Sequence, residues 1–408
     1  MKKEIVIIGA GAAGMMAAIK ASEKKENNIT ILEKNEKAGK KLYITGKGRC
    51  NITNDADMIE WDQQIKRNYK FLYSSFAAFN NKDLLDMLFR FGLKTKVERG
   101  KRVFPASDKA SDVVHIFEKQ LKKPNINIKY GERVLDIKYE DGMAKEVVTN
   151  KSRYKCDSVI ICTGGKSYSM TGSTGDGYTL ASTLGHSIKK IEPALVPILV
   201  DDDSLKNLTG LTLKNVRLLA KNGKKTVYDD LGELLFTHFG VSGPLALSLS
   251  SSLGKYDIKD LEVYIDLKPG LTNEQLDLRI QRDFENYINK DLSNALVDLM
   301  PKALIPVVIK RSGLLNNDKP NEITKQKRLE LANALKHFSL KATGLKSVEE
   351  GIITRGGVDV KEIDSKTMRS KIISNLFFAG EVIDVDGLTG GFNLQIAFST
   401  GYLAGINA

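Results

Sequence analysis

Residues 5–14 read Ile5-Val6-Ile7-Ile8-Gly9-Ala10-Gly11-Ala12-Ala13-Gly14, an apolar run that breaks into glycines with the spacing Gly-x-Gly-x-x-Gly. The pattern predicts a buried parallel strand that ends at Gly9 and opens into a helix. Gly9 makes the tight turn, Gly11 lets the backbone approach a pyrophosphate, and Gly14 lets the helix pack closely on the strand. The N–H groups and the dipole at the start of that helix favour the negative charge of a pyrophosphate.

A second predicted strand, over residues 28–33, ends on an acid that completes this pattern. Glu33 follows Gly14 by nineteen residues and is placed to accept hydrogen bonds from a ribose 2′-OH. Strand, glycine motif, helix and acid in this order predict a dinucleotide-binding unit rather than an isolated glycine-rich turn.

Length and composition indicate an ordinary globular protein. The 408 residues suffice for two or three domains, and 42% are hydrophobic and 27% charged. We find no apolar stretch long enough to span a membrane, and the fingerprint already accounts for the apolar N-terminus. Cys50, Cys156 and Cys162 form no CxxC pair or metal-ligand spacing, which suits a reducing cytosol. We therefore expect a cytoplasmic protein with no membrane segment and no metal site.

The net charge of +12 is unevenly distributed. Residues 34–102 carry 16 basic and 8 acidic side chains, whereas residues 193–355 carry 23 and 21. The basic excess is either a scattered solvated surface or a patch that receives an anionic partner such as RNA.

The chain between the second strand and residue 192 alternates loops, helices and strands. Residues 40–54 predict a glycine-rich basic loop, and residues 66–91 an amphipathic helical stretch. Residues 129–139 alternate like strands around a turn, and residues 158–165 predict a buried strand that runs into a Gly-Gly turn. The ends of such strands are where ligands bind in α/β sheets.

The remaining chain predicts a β-rich insertion, a helical block and a return to the nucleotide domain. Short alternating strands occupy residues 193–267, and Thr272 to Gln275 form a capping box that opens helices to about Lys310. Residues 376–381 predict one more strand, and residues 390–401 open the last helix. The apolar positions expected in the core of the helical block are Leu276, Ile280, Phe284, Tyr287 and Ile288.

Three separate loops, residues 163–165, 379–381 and 390–393, place small residues where a strand ends or a helix begins. Residues 378–384, Phe-Ala-Gly-Glu-Val-Ile-Asp, resemble the C-terminal flavin motif of the glutathione-reductase-like FAD superfamily. In that motif an acid binds ribityl or phosphate groups, and the next helix points its N-terminus at the isoalloxazine. We therefore expect FAD rather than NAD as the tightly held nucleotide. Because a second Gly-x-Gly-x-x-Gly is absent, NADH or NADPH would reduce the flavin directly.

A more specific resemblance rests on residues 45–54, Thr-Gly-Lys-Gly-Arg-Cys-Asn-Ile-Thr-Asn. This segment is similar to the hallmark of the BaiN/YhiN-type bacterial flavoproteins. The further segments that fit this family are 102–105, 171–177, 232–244, 380–387 and 390–393. The resemblance covers the chain from end to end.

The resemblance implies an α/β fold with a Rossmann-like FAD-binding domain of the glutathione-reductase type. Residues 1–192 and 356–408 would form that domain. A β-barrel-like insertion, residues 193–270 and 336–355, interrupts it, and a small helical subdomain, residues 271–335, interrupts the insertion.

The fingerprint, the loops and the resemblance together provide the candidate cofactor residues. Arg49, Lys41 and Lys47 either hold phosphate or the polar edge of the flavin, or lie on a solvated surface. The full expected cofactor set is Gly9, Gly11, Ala13, Gly14, Glu33, Lys34, Lys41, Arg49, Cys50, Asn51, Val134, Thr163, Gly164, Gly380, Glu381, Asp384, Gly391, Phe392 and Asn393.

Two residues are candidate proton donors. Cys50 lies between Arg49 and Asn51 in a basic, glycine-rich loop, which should favour an accessible thiolate; the alternative is a small buried core residue. His238, before a Gly-Pro turn in the insertion, is either a proton donor or a structural histidine.

Members of the family act on small molecules, including bile-acid intermediates and aminoacetone, or resemble ribosomal RNA dihydrouridine synthases. We therefore expect an FAD-dependent oxidoreductase that reduces a uridine of large-subunit rRNA, with NADH or NADPH as electron donor. One alternative is a small-molecule oxidoreductase for an amine, ketone or enoyl-type substrate. The other is a non-catalytic, FAD-containing RNA-binding protein. The sequence lacks GxSxG, HExxH and Walker patterns and so does not support a hydrolase or an NTPase.

Overall fold

The computed structural model describes residues 2–408, which form two compact units. The first unit contains residues 2–194 and 348–408, and the second contains residues 195–347. The chain leaves the first unit two residues after the boundary expected at 192, and it returns eight residues before the expected 356.

A five-stranded parallel sheet is the centre of the first unit. In order across the sheet, its strands are β21 (Leu376–Phe378), β11 (Ser158–Ile161), β1 (Lys3–Ile8), β2 (Asn27–Glu33) and β7 (Ile126–Tyr130). The apolar run of the fingerprint forms β1, in the middle. Ile5 and Ile7 are fully buried there, as expected for a central strand of a parallel sheet that is covered on both faces. The strands up to residue 194 are β1 (Lys3–Ile8), β2 (Asn27–Glu33), β3 (Thr53–Asn54), β4 (Ile65–Arg67), β5 (Thr95–Glu98), β6 (Arg102–Pro105), β7 (Ile126–Tyr130), β8 (Val134–Glu140), β9 (Met143–Thr149), β10 (Arg153–Lys155), β11 (Ser158–Ile161) and β12 (Ile188–Ala194).

The helices of this part confirm the fingerprint but divide the expected helical stretch 66–91. Residues 65–67 form β4, Asn68 takes a left-handed conformation (φ 55°), and Phe79 is extended. The side chain of Asn80 then accepts hydrogen bonds from Lys82 N–H and Asp83 N–H and begins a new helix. The helices up to residue 194 are α1 (Ala12–Ala21), α2 (Lys40–Ile44), α3 (Met58–Gln64), α4 (Tyr73–Ala78), α5 (Asn81–Arg90), α6 (Ala110–Gln120) and α7 (Asp176–Thr183).

The second unit contains an antiparallel sheet in the order β18-β17-β14-β15-β16-β13-β19. The two edge strands are separated in the chain by Lys341 alone, so the edges of the sheet come together, as in a barrel. Its strands are β13 (Ile198–Val200), β14 (Thr212–Asn222), β15 (Lys225–Thr237), β16 (Gly240–Ser242), β17 (Glu262–Asp266), β18 (Phe338–Leu340) and β19 (Ala342–Leu345).

The helices of the second unit share one core with this sheet. Leu276, Ile280 and Phe284 are buried, as the capping box and the helical spacing predict. Ile288 was wrongly expected in the core: its helix ends at Asn286, and the side chain is 48% exposed. The helices are α8 (Pro244–Ser252), α9 (Asn273–Asn286), α10 (Leu292–Ala295), α11 (Ile305–Arg311) and α12 (Lys325–Lys336).

The C-terminal return completes the first unit with β20 (Ile353–Val358), β21 (Leu376–Phe378), β22 (Asp386–Gly387) and α13 (Phe392–Asn407). Helix α13 packs tightly on α1, since a Cβ atom at Gly401 would lie 2.4 Å from Ala13 O and one at Gly405 would lie 2.5 Å from Ala17 O. Across residues 2–408, every helix is too short or too polar to cross a membrane.

Candidate functional site

The expected cofactor residues gather at one edge of the parallel sheet. Strands β1, β2, β11 and β21 run in the same direction, and their carboxyl ends lead into Gly9, Glu33, Thr163 and Gly380. This is the edge at which α/β sheets bind ligands.

Close packing requires glycine at two of the three fingerprint positions, whereas the third position faces open space. A Cβ atom at Gly9, whose φ is +99°, would lie 2.6 Å from Cys162 O, and one at Gly14 would lie 1.9 Å from Gly9 O. A Cβ atom at Gly11 would meet nothing within 4 Å, and its φ of −79° suits any residue. Gly11 begins α1, which has no side-chain cap and no acidic residue in its first turn. The space at Gly11 therefore lies at a helix N-terminus that suits an anion.

Hydrogen bonds from the glycine-rich turn after β1 and from Asn35 fix the carboxylate of Glu33. One carboxylate oxygen accepts a hydrogen bond from Ala10 N–H at 2.8 Å. The other accepts from Asn35 N–H at 2.8 Å and from Asn35 Nδ2 at 2.7 Å. The side chain is buried, so these bonds position a carboxylate at the end of β2.

Lys34 forms an ion pair beside this carboxylate. Its Nζ atom lies 2.8 Å from Asp176, which Arg133 also contacts at 3.1 Å. Burial alone would raise the pKa of Asp176, but Lys34, together with Thr174 and Arg133, outweighs burial and lowers that pKa. Val134 is buried at the start of β8.

Lys41 and Glu381 form a second ion pair, at 2.7 Å, with both side chains about four-fifths buried. Lys41 Nζ also donates to Ser167 Oγ at 2.8 Å. The second oxygen of Glu381 accepts from Thr354 N–H at 2.8 Å and from Ser167 Oγ at 3.1 Å. The network ties α2 to the loop after β21, although the two are 340 residues apart in the chain.

The loop over residues 45–54 reaches the start of α13 through Asn51. With its amide oriented to satisfy both polar atoms, Asn51 accepts from Gly391 N–H at 3.1 Å and donates to Val103 O at 3.2 Å. Gly391 takes a left-handed conformation (φ 102°) and caps α13 without a side-chain bond. Phe392 packs edge-on against Trp61, and Asn393 accepts a hydrogen bond from Gly387 N–H at 2.9 Å.

The expected environment of Cys50 is wrong on two counts. The side chain is 0% exposed, and burial raises the pKa of its thiol to about 12. The neighbouring cation does not offset burial, because Arg49 pairs with Glu98 at 2.8 Å and stacks on Phe104 at 4.0 Å. A buried thiol with a raised pKa is neither accessible nor a thiolate. The catalytic role of Cys50 stays a prediction, but neither accessibility nor a thiolate form supports it.

Asp384 lies in a buried ion cluster. Its carboxylate contacts Arg67 Nε, and Asn68 Nδ2 donates to its oxygen at 3.2 Å and to its carbonyl at 2.6 Å. Burial raises the pKa of Asp384 above its ordinary value, although Arg67 opposes this. Asp386 beside it pairs with Arg355 at 3.3 Å. These contacts hold the C-terminal motif against β4 and against the strand that carries Arg355, residues 353–358.

The basic residues of segment 34–102 are of two kinds: some are exposed without an ion pair to any residue that the structure describes, and others are paired with carboxylates. Exposed Lys47, Lys66 and Lys70 form no ion pair within residues 2–408. At least half of its basic residues do pair with carboxylates: Lys34, Lys40, Lys41, Arg49, Arg67, Lys82, Lys96 and Lys101.

The structure also reveals positioning residues that the sequence analysis missed. Ser167 and Thr354 complete the Glu381 network, and Asn68 holds Asp384. The sequence does carry a signal for Ser167, because this residue follows the Gly-Gly turn at the end of β11, where ligands bind in such sheets. Thr354 and Asn68 had none, because their contacts depend on strand pairings between distant segments. His238 lies in the second unit, on the turn between β15 and β16, and is exposed.

The fold and the edge of the sheet define an α/β flavoprotein of the Rossmann type, and comparison with known proteins agrees. The model of the family described as "HI0933-like protein Rossmann domain" matches residues 3–407. The chain belongs to this family and is an FAD-dependent oxidoreductase.

Two full-length relatives differ in their named substrates. The chain is 32% identical to the 3-dehydro-bile acid delta(4,6)-reductase of Clostridium scindens, over 98% of each protein. It is 30% identical to the ribosomal RNA dihydrouridine synthase of Haemophilus influenzae, over 99% of this chain and 98% of the relative. A protein with the latter name from Escherichia coli is 29% identical, over 98% of this chain and 96% of the relative.

Solved structures share the fold at low sequence identity. The open conformation of a flavocytochrome c3 fumarate reductase superposes with a TM-score of 0.50 and 16% identity, over 100% of this chain and 78% of that one. A quinol-fumarate reductase with menaquinol superposes with a TM-score of 0.52 and 16% identity, over 99% of this chain and 70% of that one.

Proposed function

We propose that this oxidoreductase reduces a uridine of large-subunit ribosomal RNA to dihydrouridine, with NADH or NADPH as electron donor. The observation that carries the proposal is that unpaired surface lysines lie on the segment that also builds the cofactor edge. Strand β4 pairs with β22, just before Gly391, and β4 and the following turn carry exposed Lys66 and Lys70. Cations beside a flavin edge suit the phosphates of a nucleic acid.

Residues at the sheet edge fit FAD. The space at Gly11 and the uncapped start of α1 would receive the pyrophosphate, and Glu33 would accept hydrogen bonds from the adenosine ribose. Lys41 and Glu381 would hold the ribityl or phosphate groups, and the start of α13 would face the flavin ring.

When bound, FAD supplies the hydride that reduction of a uridine requires at C6. The chain orients the base and supplies the proton that C5 requires. Of the two donors that the sequence predicts, Cys50 is fully buried and His238 is exposed, so the proposal does not assign this proton to Cys50. A base in a duplex has to leave its stack to reach the cofactor edge, so an unpaired uridine is the favoured substrate.

A second candidate function is reduction of a small enone. It is favoured by the relative named as a bile acid reductase, which is 32% identical over 98% of this chain. The ion pairs of the basic segment also reduce the charge left for RNA. A non-catalytic, RNA-binding flavoprotein is the third alternative, and it differs from both enzymes in lacking any acceptor turnover.

Charge reversal at the unpaired lysines separates these functions. We expect Lys66→Glu with Lys70→Glu to weaken RNA binding and to reduce the slope of log affinity against log salt by about 0.7 to 0.9 per lost phosphate contact. Flavin content should stay unchanged, since within residues 2–408 neither lysine side chain forms a hydrogen bond or ion pair with a residue of the cofactor edge. Lys145→Glu with Lys155→Glu is the matched control, because both lysines are exposed on β9 and β10, away from β4.

Turnover of the acceptor completes the test. The proposal predicts that rRNA reoxidises the reduced enzyme and that the lysine variant slows this step more than the control does. Reoxidation by an enone alone, with equal rates in both variants, would favour the small-molecule reductase. Binding of RNA without reoxidation would favour the non-catalytic alternative.

A further inference from the structure

The turn between β15 and β16 places two aromatic residues where hairpins usually have small ones. Thr237 pairs with Gly240, so His238 and Phe239 form a two-residue connection. Such connections favour Asn-Gly or Gly-containing pairs, whose backbones adopt the required conformations easily. Turn formation therefore does not explain an imidazole and a phenyl ring at this position.

The tip of this hairpin is held rigidly within the second unit. Gly240 is buried, and a Cβ atom there would lie 2.3 Å from Ile198 O. Val200 N–H donates to Phe239 O at 3.1 Å, and Thr237 Oγ1 donates to Gly240 O at 3.1 Å. These contacts fix the backbone at the tip and so limit the loss of conformational freedom when a ligand binds.

Three side chains form one cluster at this tip. The His238 ring is exposed and packs edge-on against Phe239, with centroids 4.8 Å apart and an angle of 77°. Lys346 Nζ lies 4.5 Å from the Phe239 ring centroid, on the segment that follows β19. Phe239 itself is half-buried. An aromatic surface beside a cation is the combination with which proteins bind unpaired nucleobases and their phosphates.

We infer that His238, Phe239 and Lys346 form a platform on which an unpaired base of the RNA stacks. The inference rests on the proposed function and adds a second contact with the same substrate. Because residues 193–355 carry nearly balanced charge, affinity at this tip comes from stacking rather than from a field of cations. Loss of the Phe239 ring should therefore leave the salt dependence of binding unchanged, unlike reversal of Lys66 and Lys70.

The test measures binding of a fluorescent single-stranded oligouridylate by the full-length, FAD-loaded protein. Phe239→Leu keeps an apolar side chain but removes the aromatic face, and we expect roughly 5- to 100-fold weaker binding with an unchanged salt slope. Phe239→Trp should retain the affinity. Tyr264→Leu is the matched control, since Tyr264 also lies near a histidine (His337, 5.2 Å) and a lysine (Lys221, 5.4 Å). Melting temperature and flavin content report whether each variant folds.

Photocrosslinking with 4-thiouridine in the oligonucleotide gives an independent result. The inference predicts crosslinks in the peptide that contains residues 238 and 239. Equal affinity of Phe239→Leu and wild type, or crosslinks that avoid this peptide, would overturn it even if the enzyme reduces rRNA. A wild type that binds RNA through Phe239 but reduces no uridine would instead refute the proposed function. A wild type without affinity for RNA would refute both.

Discussion

Substitution of Gly11 by Ala tests whether the fingerprint serves a bound dinucleotide or only the turn. The new Cβ atom would meet no protein atom within 4 Å, and the φ of −79° is ordinary for alanine. The unliganded protein should therefore unfold with a free energy equal to that of wild type or higher by about 0.4 to 1 kcal/mol, since alanine restricts the unfolded chain.

Binding of FAD should respond in the opposite direction. The methyl group would occupy the space at the start of α1 and displace the pyrophosphate from one or two N–H groups. Each charge-assisted hydrogen bond contributes about 1.5 to 3 kcal/mol, so the loss of one or two of them should raise the Kd for FAD by roughly 10- to 20,000-fold. Fluorescence titration of deflavinated protein with FAD measures this change, and urea unfolding measures the stability.

Gly14→Ala is the contrasting variant. Its Cβ atom would lie 1.9 Å from Gly9 O, so this substitution should destabilise the unliganded protein itself. The reasoning is refuted if Gly11→Ala binds FAD as tightly as wild type, or if it loses as much stability without FAD as Gly14→Ala does.

Three further predictions concern buried groups. Cys50 should resist iodoacetamide at pH 8 in the native protein, because burial raises the pKa of its thiol to about 12. Cys50→Ala should keep acceptor turnover within about tenfold of wild type. A roughly 10²- to 10⁴-fold loss of turnover, measured by stopped flow, would instead identify Cys50 as the proton donor. A double-mutant cycle of Lys41→Met and Glu381→Gln, followed by urea unfolding, should give a coupling energy of about 1 to 2 kcal/mol for their 2.7 Å ion pair, and additive losses would contradict this. Burial lowers the pKa of His186 below its usual 6.5, so the unfolded chain binds the proton more readily than the folded one. The free energy of unfolding should therefore fall as the pH drops below about 6.5. In urea unfolding at a series of acid pH values, His186→Gln should show a smaller fall than wild type, and an equal fall would contradict this role of His186.

The nucleotide-binding half of the fold could be predicted from the sequence because its signals are local. An apolar run, three spaced glycines and an acid after the next strand are short patterns with one structural solution, and β1, α1 and β2 confirm it. The capping box at Thr272 likewise predicted the start of α9, with Gln275 N–H donating to Thr272 Oγ1 at 3.2 Å. The end of α9 was missed, since the apolar spacing continues to Ile288 after the helix has stopped.

The environment of the candidate site could not be predicted in the same way. The neighbours of Arg49 in the sequence suggested a free cation, whereas the fold places Glu98 and Asp108 against it. Those carboxylates lie 49 and 59 residues away in the chain. The segment of Arg49 reaches them because β3 pairs with β6, which in turn pairs with β5. Burial of Cys50 has the same origin, because a small residue in a glycine-rich loop carries no local sign of what packs on it.

The reduction of ribosomal RNA is the central claim, and mass spectrometry tests it most directly. Ribosomal RNA from cells that lack this gene would be incubated with the purified, FAD-loaded protein and NADH or NADPH, digested, and mapped by nucleotide. We predict that one uridine of the large-subunit RNA gains two hydrogens, and that this mass shift is absent from the reaction without reductant. An unchanged RNA, in a reaction where the same enzyme reduces an enone, would contradict the proposal.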